Sequence, residues 1–394
     1  MALDPQVRVA VKDSLARFQH ACDEIYRRSA AGTLPSWIAD WLDRGKPEWL
    51  VSLQREKAMR GHAPRVIRPD LMVTQEGFAM SELDSVPGGI GVAAWMARVY
   101  ADAGYEVLGG ADGMREGFRS LMPDGGTVLI SQEAADYRPE MEWLVSTLGD
   151  GWRVASAESY QPDGSALYRF FELFDWQSVP SARRLAQDAA DGQLQITPPF
   201  KPHFEEKLWL ALLWSPALKG VWDKSLRGNH LKRLRELVPF GWLVDPTPLP
   251  PHAALPRLDL HSWDEVAALS QRDRQLVLKV SGFHETAWGS RGVFIGHDLP
   301  TAEWSARLRH ALGQAHEQPW VMQQFREARR IAHPVYRDDG SVEVMQGRAR
   351  ICPYFFTDEA GATRLGGCLA TIVPADKKKI HGMGDGVLVP CAVE

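Results

Sequence analysis

The chain has 394 residues, 45 % of them hydrophobic and 24 % charged, with a formal net charge of -5. That composition is ordinary for a globular protein with room for two or three domains, and without a basic excess it argues against a nucleic-acid partner. Cys22, Cys352, Cys368 and Cys391 lie far apart with no CxxC pair, which argues against a thiolate metal site or a disulfide framework and suits a reducing cytoplasm.

Met1 to Ala10 carries Asp4, Pro5 and Arg8 and has no apolar signal core, so the expected location is cytoplasmic. Val9 to Ala31 reads as an amphipathic helix, because Val11, Leu15, Phe18, Cys22, Ile25 and Tyr26 recur at helical spacing. Shorter helices are expected at Trp37–Leu42 and Pro47–Arg60. Two strands follow, Val66–Thr74 and Phe78–Ser85, around a Gln75-Glu76-Gly77 turn. From Val86 helices alternate with strands: helix Ile90–Ala103, strand Tyr105–Leu108, helix Asp112–Leu121, strand Thr127–Ser131, helix Pro139–Leu148, strand Trp152–Ala155. Alternation at that pitch implies parallel βαβ units. A connecting segment containing Tyr168–Phe174 runs to Pro198-Pro199.

Helices return at Phe204–Leu213 and Asn229–Leu237, and the stretch Leu208–Trp214, the most apolar of the chain, is far too short to span a bilayer. Asp245 to Pro251 is the clearest stiff linker. Beyond it, strands are expected at Gln275–Ser281, Val293–Gly296, Val321–Phe325, Val342–Phe356 and Cys368–Val373, with a helix at Glu303–Gly313, which together suggest an α+β domain. The run Lys377-Lys378-Lys379 reads as a solvated loop.

The sharpest feature is the acidic hairpin. Residues two apart in a strand share a face, so Arg68 and Asp70 point one way, as do Glu82 and Asp84. A three-residue loop ending in Gly77 sets Thr74 against Phe78, Asp70 against Glu82 and Arg68 against Asp84. Directly opposed like charges cost about 0.2–1 kcal/mol, and a divalent cation reverses that sign. Hard oxygen ligands favour magnesium, which also takes phosphate oxygens. The spacing equally fits a solvated polar face or a plain Arg68–Asp84 salt bridge.

A second set of signals lies later in the chain. Gln275–Ser281 is an alternating strand carrying Lys279, followed by the loop Gly282 to Gly292 with Gly289, Ser290 and Arg291. Glycines let backbone amides approach an anion, and Lys279 and Arg291 supply positive charge. An ordinary glycine-containing hairpin with a surface lysine reads the same way. Gln323-Gln324-Phe325 is a candidate hinge pairing an adenine edge, or else a plain core strand; Lys207 at a helix start alone reads as a snorkelling surface lysine. Val86-Pro87-Gly88-Gly89-Ile90-Gly91 before a helix is a rival phosphate site, lacking the full dinucleotide fingerprint. His284-Glu285 lacks the second histidine of a zinc-protease motif.

The order of these parts resembles the circularly permuted ATP-grasp ligases, in particular the synthetase domain of glutathionylspermidine synthase. That family carries Arg-x-Asp and then Glu-x-Asn, with Asp and Glu twelve positions apart; here Arg68-x-Asp70 precedes Glu82-x-Asp84 by the same interval. The resemblance implies Asp70, Glu82 and Asp84 as magnesium ligands, Arg68 as the charge stabiliser of the transferring phosphoryl group, and Lys207, Lys279, Gly289, Ser290, Arg291, Gly292, Gln323, Gln324 and Phe325 as ATP-binding residues. Asp84 stands where the family has Asn, and the loop reads Gly-Ser-Arg-Gly in place of Arg-Glu-Gly.

The implied fold is α/β and α+β: an N-terminal helical segment (1–65), the acidic hairpin of the ATP-grasp core (66–86), an inserted Rossmann-like pre-ATP-grasp βαβ domain (87–199) and the nucleotide-binding ATP-grasp lobes (200–394). The implied activity is ATP- and magnesium-dependent joining of a small-molecule carboxylate to an amine through an acyl-phosphate. The alternatives are a nucleotide-binding protein without ligase activity, and a dinucleotide enzyme using Gly88, Gly89 and Gly91.

Overall fold

A computed structural model describes residues 5–250, 252–287, 289–337, 339–380 and 385–392, with side chains from residue 12 onward. Pro251 of the expected linker, Trp288 of the loop and the Val11 side chain lie outside that description.

The strands in chain order are β1 (Val66–Thr74), β2 (Gly77–Asp84), β3 (Gly126–Ile130), β4 (Trp152–Ser156), β5 (Leu167–Phe170), β6 (Ile196–Thr197), β7 (Gly241–Leu243), β8 (Leu276–Val280), β9 (Val293–Ile295), β10 (Trp320–Gln324), β11 (Arg330–Tyr336), β12 (Val342–Thr357), β13 (Thr363–Pro374) and β14 (Val387–Pro390). Among the described residues they form three sheets. One is antiparallel, ordered β14-β13-β12-β1-β2 with β11 paired to β12; a second is antiparallel, β7-β10-β8-β9; the third is parallel, β4-β3-β5-β6.

The N-terminal helix spans Pro5–Ala30. Its Leu15, Phe18, Cys22, Ile25 and Tyr26 are all buried and join one core with Trp209, Trp222 and the inner face of the large sheet. The 3.6-residue period is what puts these side chains on one stripe.

The parallel sheet supports the βαβ expectation but not its strand list. Tyr105–Leu108 is not a strand: Val107 makes a single bridge to Ala392, and Gly109 and Gly110 follow at φ 91° and 77°. Two successive left-handed residues end an extended run. Leu167–Phe170, expected as connection, is instead the buried strand β5 between β3 and β6. Arg169 disguised it. Its guanidinium is 0 % exposed and reaches Glu205 Oε1 at 2.6 Å and the carbonyls of Pro198 and Pro199, so a charge inside the strand is paired rather than solvated.

The expected helix Phe204–Leu213 is broken. A 3-10 turn, Pro202–Glu205, is followed by a short helix, Leu208–Leu212. The break is held by Ser281, whose hydroxyl bonds Glu206 and accepts the Leu208 N–H at 2.8 Å. It leaves Lys207 at a corner between the large sheet and β8, aimed at the hairpin.

In the hairpin the turn is one residue tighter than expected. Thr74 pairs with Gly77 and Leu71 with Met80; an irregularity between Asp70 and Leu71 then adds one residue on β2, so that Asp70 pairs with Glu82 and Arg68 with Asp84. A bulge inserts a residue and re-aims the side chains beyond it. The acidic register is therefore the expected one, reached by a different turn.

Candidate functional site

The charged face of β1 and β2 looks onto β8 and β10. Asp70 is 3 % exposed; it accepts from Arg68 Nε at 3.0 Å, from Arg350 of β12 at 2.7 Å and from the Cys352 thiol at 3.4 Å. Arg68 donates onward to Asp84 Oδ2 at 2.9 Å and to the Gly88 carbonyl at 2.9 Å. Lys207 lies 2.6 Å from Glu82 Oε1 and donates to the Ala287 carbonyl at 3.1 Å. Lys279 Nζ bridges the sheets, donating to the Ser81 carbonyl at 2.9 Å and to Gln323 Oε1 at 2.8 Å.

These contacts set the charge states. Burial pushes the Asp70 carboxyl up, but the Arg350 and Arg68 guanidiniums outweigh it and hold it below its usual range. Asp84 is pushed up to about 6 by burial, with Glu82 and Asp70 adding repulsion that Arg68 only partly offsets. Lys279 is pushed down to about 8, first by burial and then by Lys207, against the opposing pull of Glu82 and Asp70. Lys207, also buried, is held above its usual value because Glu82 is so close.

Two cavities open on this seam. The larger, about 190 Å³, is lined by Arg68, Asp70, Glu82, Asp84, Gly289 and Glu172 among others. The smaller, about 90 Å³, is lined by Lys279, Gln323, Gln324, Phe325 and Val277. Asp70, Glu82, Lys207, Ser290 and Arg350 border both, so the two form one cleft divided by a wall of paired charges. Gln323 is 2 % exposed, and its amide nitrogen has no partner among the described residues.

Of the expected site residues, Arg68, Asp70, Glu82, Asp84, Lys207, Lys279, Gly289, Ser290, Gln323, Gln324 and Phe325 thus meet at the cleft. The N–H groups of Gln324 and Phe325 already donate to the carbonyls of Phe240 and Gln275, so these two amides are not free for a purine edge. Arg291 and Gly292 line neither cavity. Arg291 is half exposed and pairs with Glu133 at 2.7 Å, while Gly292 packs so tightly that a Cβ there meets the Thr286 carbonyl at 2.7 Å.

Sequence reading missed Arg350, Cys352 and Tyr354 on one face of β12, and Glu172 after β5. Arg350 is 280 positions from the Asp70 it binds. The available signal was Arg348, Arg350 and Cys352 at every second position of the strand, with Ala349 and Ile351 between them. The glycine turn at Gly88-Gly89 is not an open phosphate cradle: Glu140 accepts the N–H groups of Gly89 and Val92, each at 2.8 Å, at the start of helix Ile90–Asp102. A carboxylate already occupies the anion position that a helix start offers.

Among the described residues no group of three or more His, Cys, Asp or Glu side chains converges as a metal-ligand set; Asp70, Glu82 and Asp84 each hold a guanidinium or an ammonium instead. No described helix is long and apolar enough to cross a membrane.

No family model matches the chain, and no curated protein matches it. Among solved structures, the chain is similar to a glutathione synthetase-like effector from Globodera pallida in apo form, at 11 % identity and TM-score 0.52, over 100 % of this chain and 88 % of that one. A putative gamma-glutamylcysteine synthetase from Methylobacillus flagellatus overlaps at 12 % identity and TM-score 0.44, over 98 % of this chain and 88 % of that one. A D-alanyl-alanine synthetase A from Vibrio cholerae overlaps at 10 % identity and TM-score 0.29, over 61 % of this chain and 87 % of that one. At such identities the first likeness is one of fold, and the other two are too loose to carry an argument. The chain has the mixed α/β architecture of several sheets that it shares with the glutathione synthetase-like effector.

Proposed function

We propose that this chain is an ATP- and magnesium-dependent ligase that joins a carboxylate to an amine through an acyl-phosphate, on a circularly permuted ATP-grasp fold like that of glutathionylspermidine synthase. In this reading residues 1–65 form a helical segment, 66–86 the acidic hairpin of the core, 87–199 an inserted βαβ domain and 200–394 the nucleotide-binding lobes. The observation that carries it is the divided cleft, in which a wall bearing Arg68, Arg350, Lys207 and Lys279 separates a small, largely apolar cavity from a larger polar one.

The smaller cavity suits a purine. Its apolar surface comes from Val277, Ile295 and Phe325, and the unpaired Gln323 amide supplies a donor for a ring nitrogen. Lys279, Lys207 and Ser290 then face the phosphates. The donor set of Asp70, Glu82 and Asp84 is all hard oxygen, the ligand type that magnesium takes, and all three line the larger cavity, so these residues are the ones that would hold it. When bound, magnesium neutralises polyphosphate charge.

The chain's own residues do the rest. Arg68 is fixed by Asp70 and Asp84, so its guanidinium meets the transferring phosphoryl group without reorganising. A carboxylate oxygen in the larger cavity attacks the γ-phosphorus and ADP departs. An amine then attacks the acyl carbon, the C–N bond forms and inorganic phosphate leaves. The loop 282–292, tied to Lys207 through the Ala287 carbonyl, keeps water from the acyl-phosphate.

The test is ADP release with hydroxylamine as nucleophile across a panel of amino acids and dipeptides as carboxylates. The expected result is hydroxamate equimolar with ADP, both lost in Glu82→Gln while the circular-dichroism spectrum of the folded chain is kept. ATP binding with no ADP from any carboxylate would instead identify a nucleotide-binding protein without ligase activity.

A further inference from the structure

The larger cavity has a second acidic end that the phosphoryl chemistry does not use. Glu172 follows β5 and lines the cavity together with Phe174, Tyr137, Phe283 and Glu205. Glu205 is fully engaged, Oε1 with Arg169 at 2.6 Å and Oε2 with the Leu173 N–H at 2.8 Å. Glu172 therefore neighbours a carboxylate already held by other donors, and among the described residues it has no ion pair of its own. Burial, then Glu205 and Asp84, push its carboxyl well above the usual carboxylate range, with Arg169 opposing weakly. Lys207, which also senses Glu172, stands between this end and Glu82. The lining here includes the rings of Phe174, Tyr137 and Phe283, and an aromatic face favours a cation.

We propose that Glu172 is the group that receives the acceptor amine as its ammonium ion and takes the proton from it before attack. The proposal rests on the ligase reading and adds the residue that it lacks, a general base. Without an amine, burial and the neighbouring Glu205 favour the protonated form of Glu172. An entering ammonium favours the carboxylate form, so the Glu172 proton leaves to solvent. The carboxylate then accepts one N–H proton from the ammonium, and the freed lone pair forms the C–N bond. The C–O bond to phosphate breaks, and the second amine proton departs with the phosphate. Groups facing Glu172 are Glu205 on the 3-10 turn, Asp84 on β2, Arg169 on β5 and Lys207.

Two measurements separate this proposal from the ligase reading. The first needs no turnover: calorimetric titration of methylammonium chloride into the full chain, in two buffers of different ionisation enthalpy. The wild type is expected to release close to one proton per methylammonium bound near neutral pH, with affinity rising as pH rises, whereas Glu172→Gln releases none and shows no such rise. Equal proton release in both proteins, or no methylammonium binding to the wild type, overturns the proposal and leaves the ligase reading untouched. The second is kinetic. Hydroxylamine, already neutral at pH 7, needs no base. Glu172→Gln should keep hydroxylamine-dependent ADP release within about threefold and lower amine-dependent release at least 100-fold, with partial rescue by Glu172→Asp. Equal loss with both nucleophiles assigns Glu172 a structural role and sinks the proposal. Absence of ADP with hydroxylamine in the wild type counts against the ligase reading, while the methylammonium titration still decides the role of Glu172 as ammonium receptor.

Discussion

Lys279→Met separates the cost of the site from its use. Lys279 is 7 % exposed, and among the described residues its ammonium donates to the Ser81 carbonyl and the Gln323 amide oxygen. Its drop from 10.5 to about 8 corresponds to a penalty of about 3 kcal/mol for keeping the charge buried. The sign follows from the direction: the folded value lies below the unfolded one, so the penalty is complete below about pH 8 and fades as pH rises from there toward the unfolded value. Methionine removes that penalty, but leaves two acceptors unpaired at about 1–3 kcal/mol each. The terms nearly cancel, so the midpoint at pH 7 should move by only a few degrees. Nucleotide binding is another matter. One charged hydrogen bond to a phosphate is worth about 1.5–3 kcal/mol, so ATP affinity by calorimetry should fall about 10- to 150-fold. In the wild type that affinity should also weaken as pH rises through about 8, and the variant should lose this dependence. A variant that unfolds readily yet binds ATP as the wild type does would refute the reasoning.

Other expectations follow from the same contacts. Asp23 holds buried Lys201, and lies 3.3 Å from His203 Nε2; Asp23→Ala strands a buried cation and should cost about 3–5 kcal/mol in urea unfolding. Burial raises the Asp23 carboxyl, but His203 and Lys201 outweigh it and hold it low, so the stability it contributes is present above 3.8 and is lost as pH falls below that value; acid unfolding of wild type and variant should converge there. Gly292→Val drives a side chain into the Thr286 carbonyl and Val280; about 1–3 kcal/mol of overpacking should loosen the loop and raise ATP hydrolysis relative to product formation. Arg291→Ala removes a half-exposed pair with Glu133, a contact worth at most about 1 kcal/mol, and because Arg291 lines neither cavity the change should leave ADP formation within about threefold.

What could be read from the sequence was what neighbours in the sequence decide. The hairpin carries its pairing in a short loop and a period of two, which by themselves put Arg68, Asp70, Glu82 and Asp84 on one face. The turn itself was misread by one residue, and the bulge opposite Asp70 corrected it, because a bulge leaves no local signature. Long-range partners were not legible. Arg350 reaches Asp70 only because β12 lies beside β1, and β5 hid behind Arg169, whose partner Glu205 is 36 residues away. Glu172 is illegible for a similar reason: its character comes first from burial and then from Glu205 and Asp84, contributed by two other segments. Arg291 shows the opposite error, where a suitable residue type in a suitable loop turned outward to Glu133.

The account stands on the division of one cleft into a purine cavity and a reaction cavity by the charged wall between them. The direct measurement is a crystal structure with magnesium and a non-hydrolysable ATP analogue. The base should lie beside Gln323 and Phe325, with the terminal phosphate at Arg68 and Lys207 and open space beyond it toward Glu172. A nucleotide seated at the Gly88–Gly91 turn, or with its terminal phosphate pointing away from Arg68, would contradict the account.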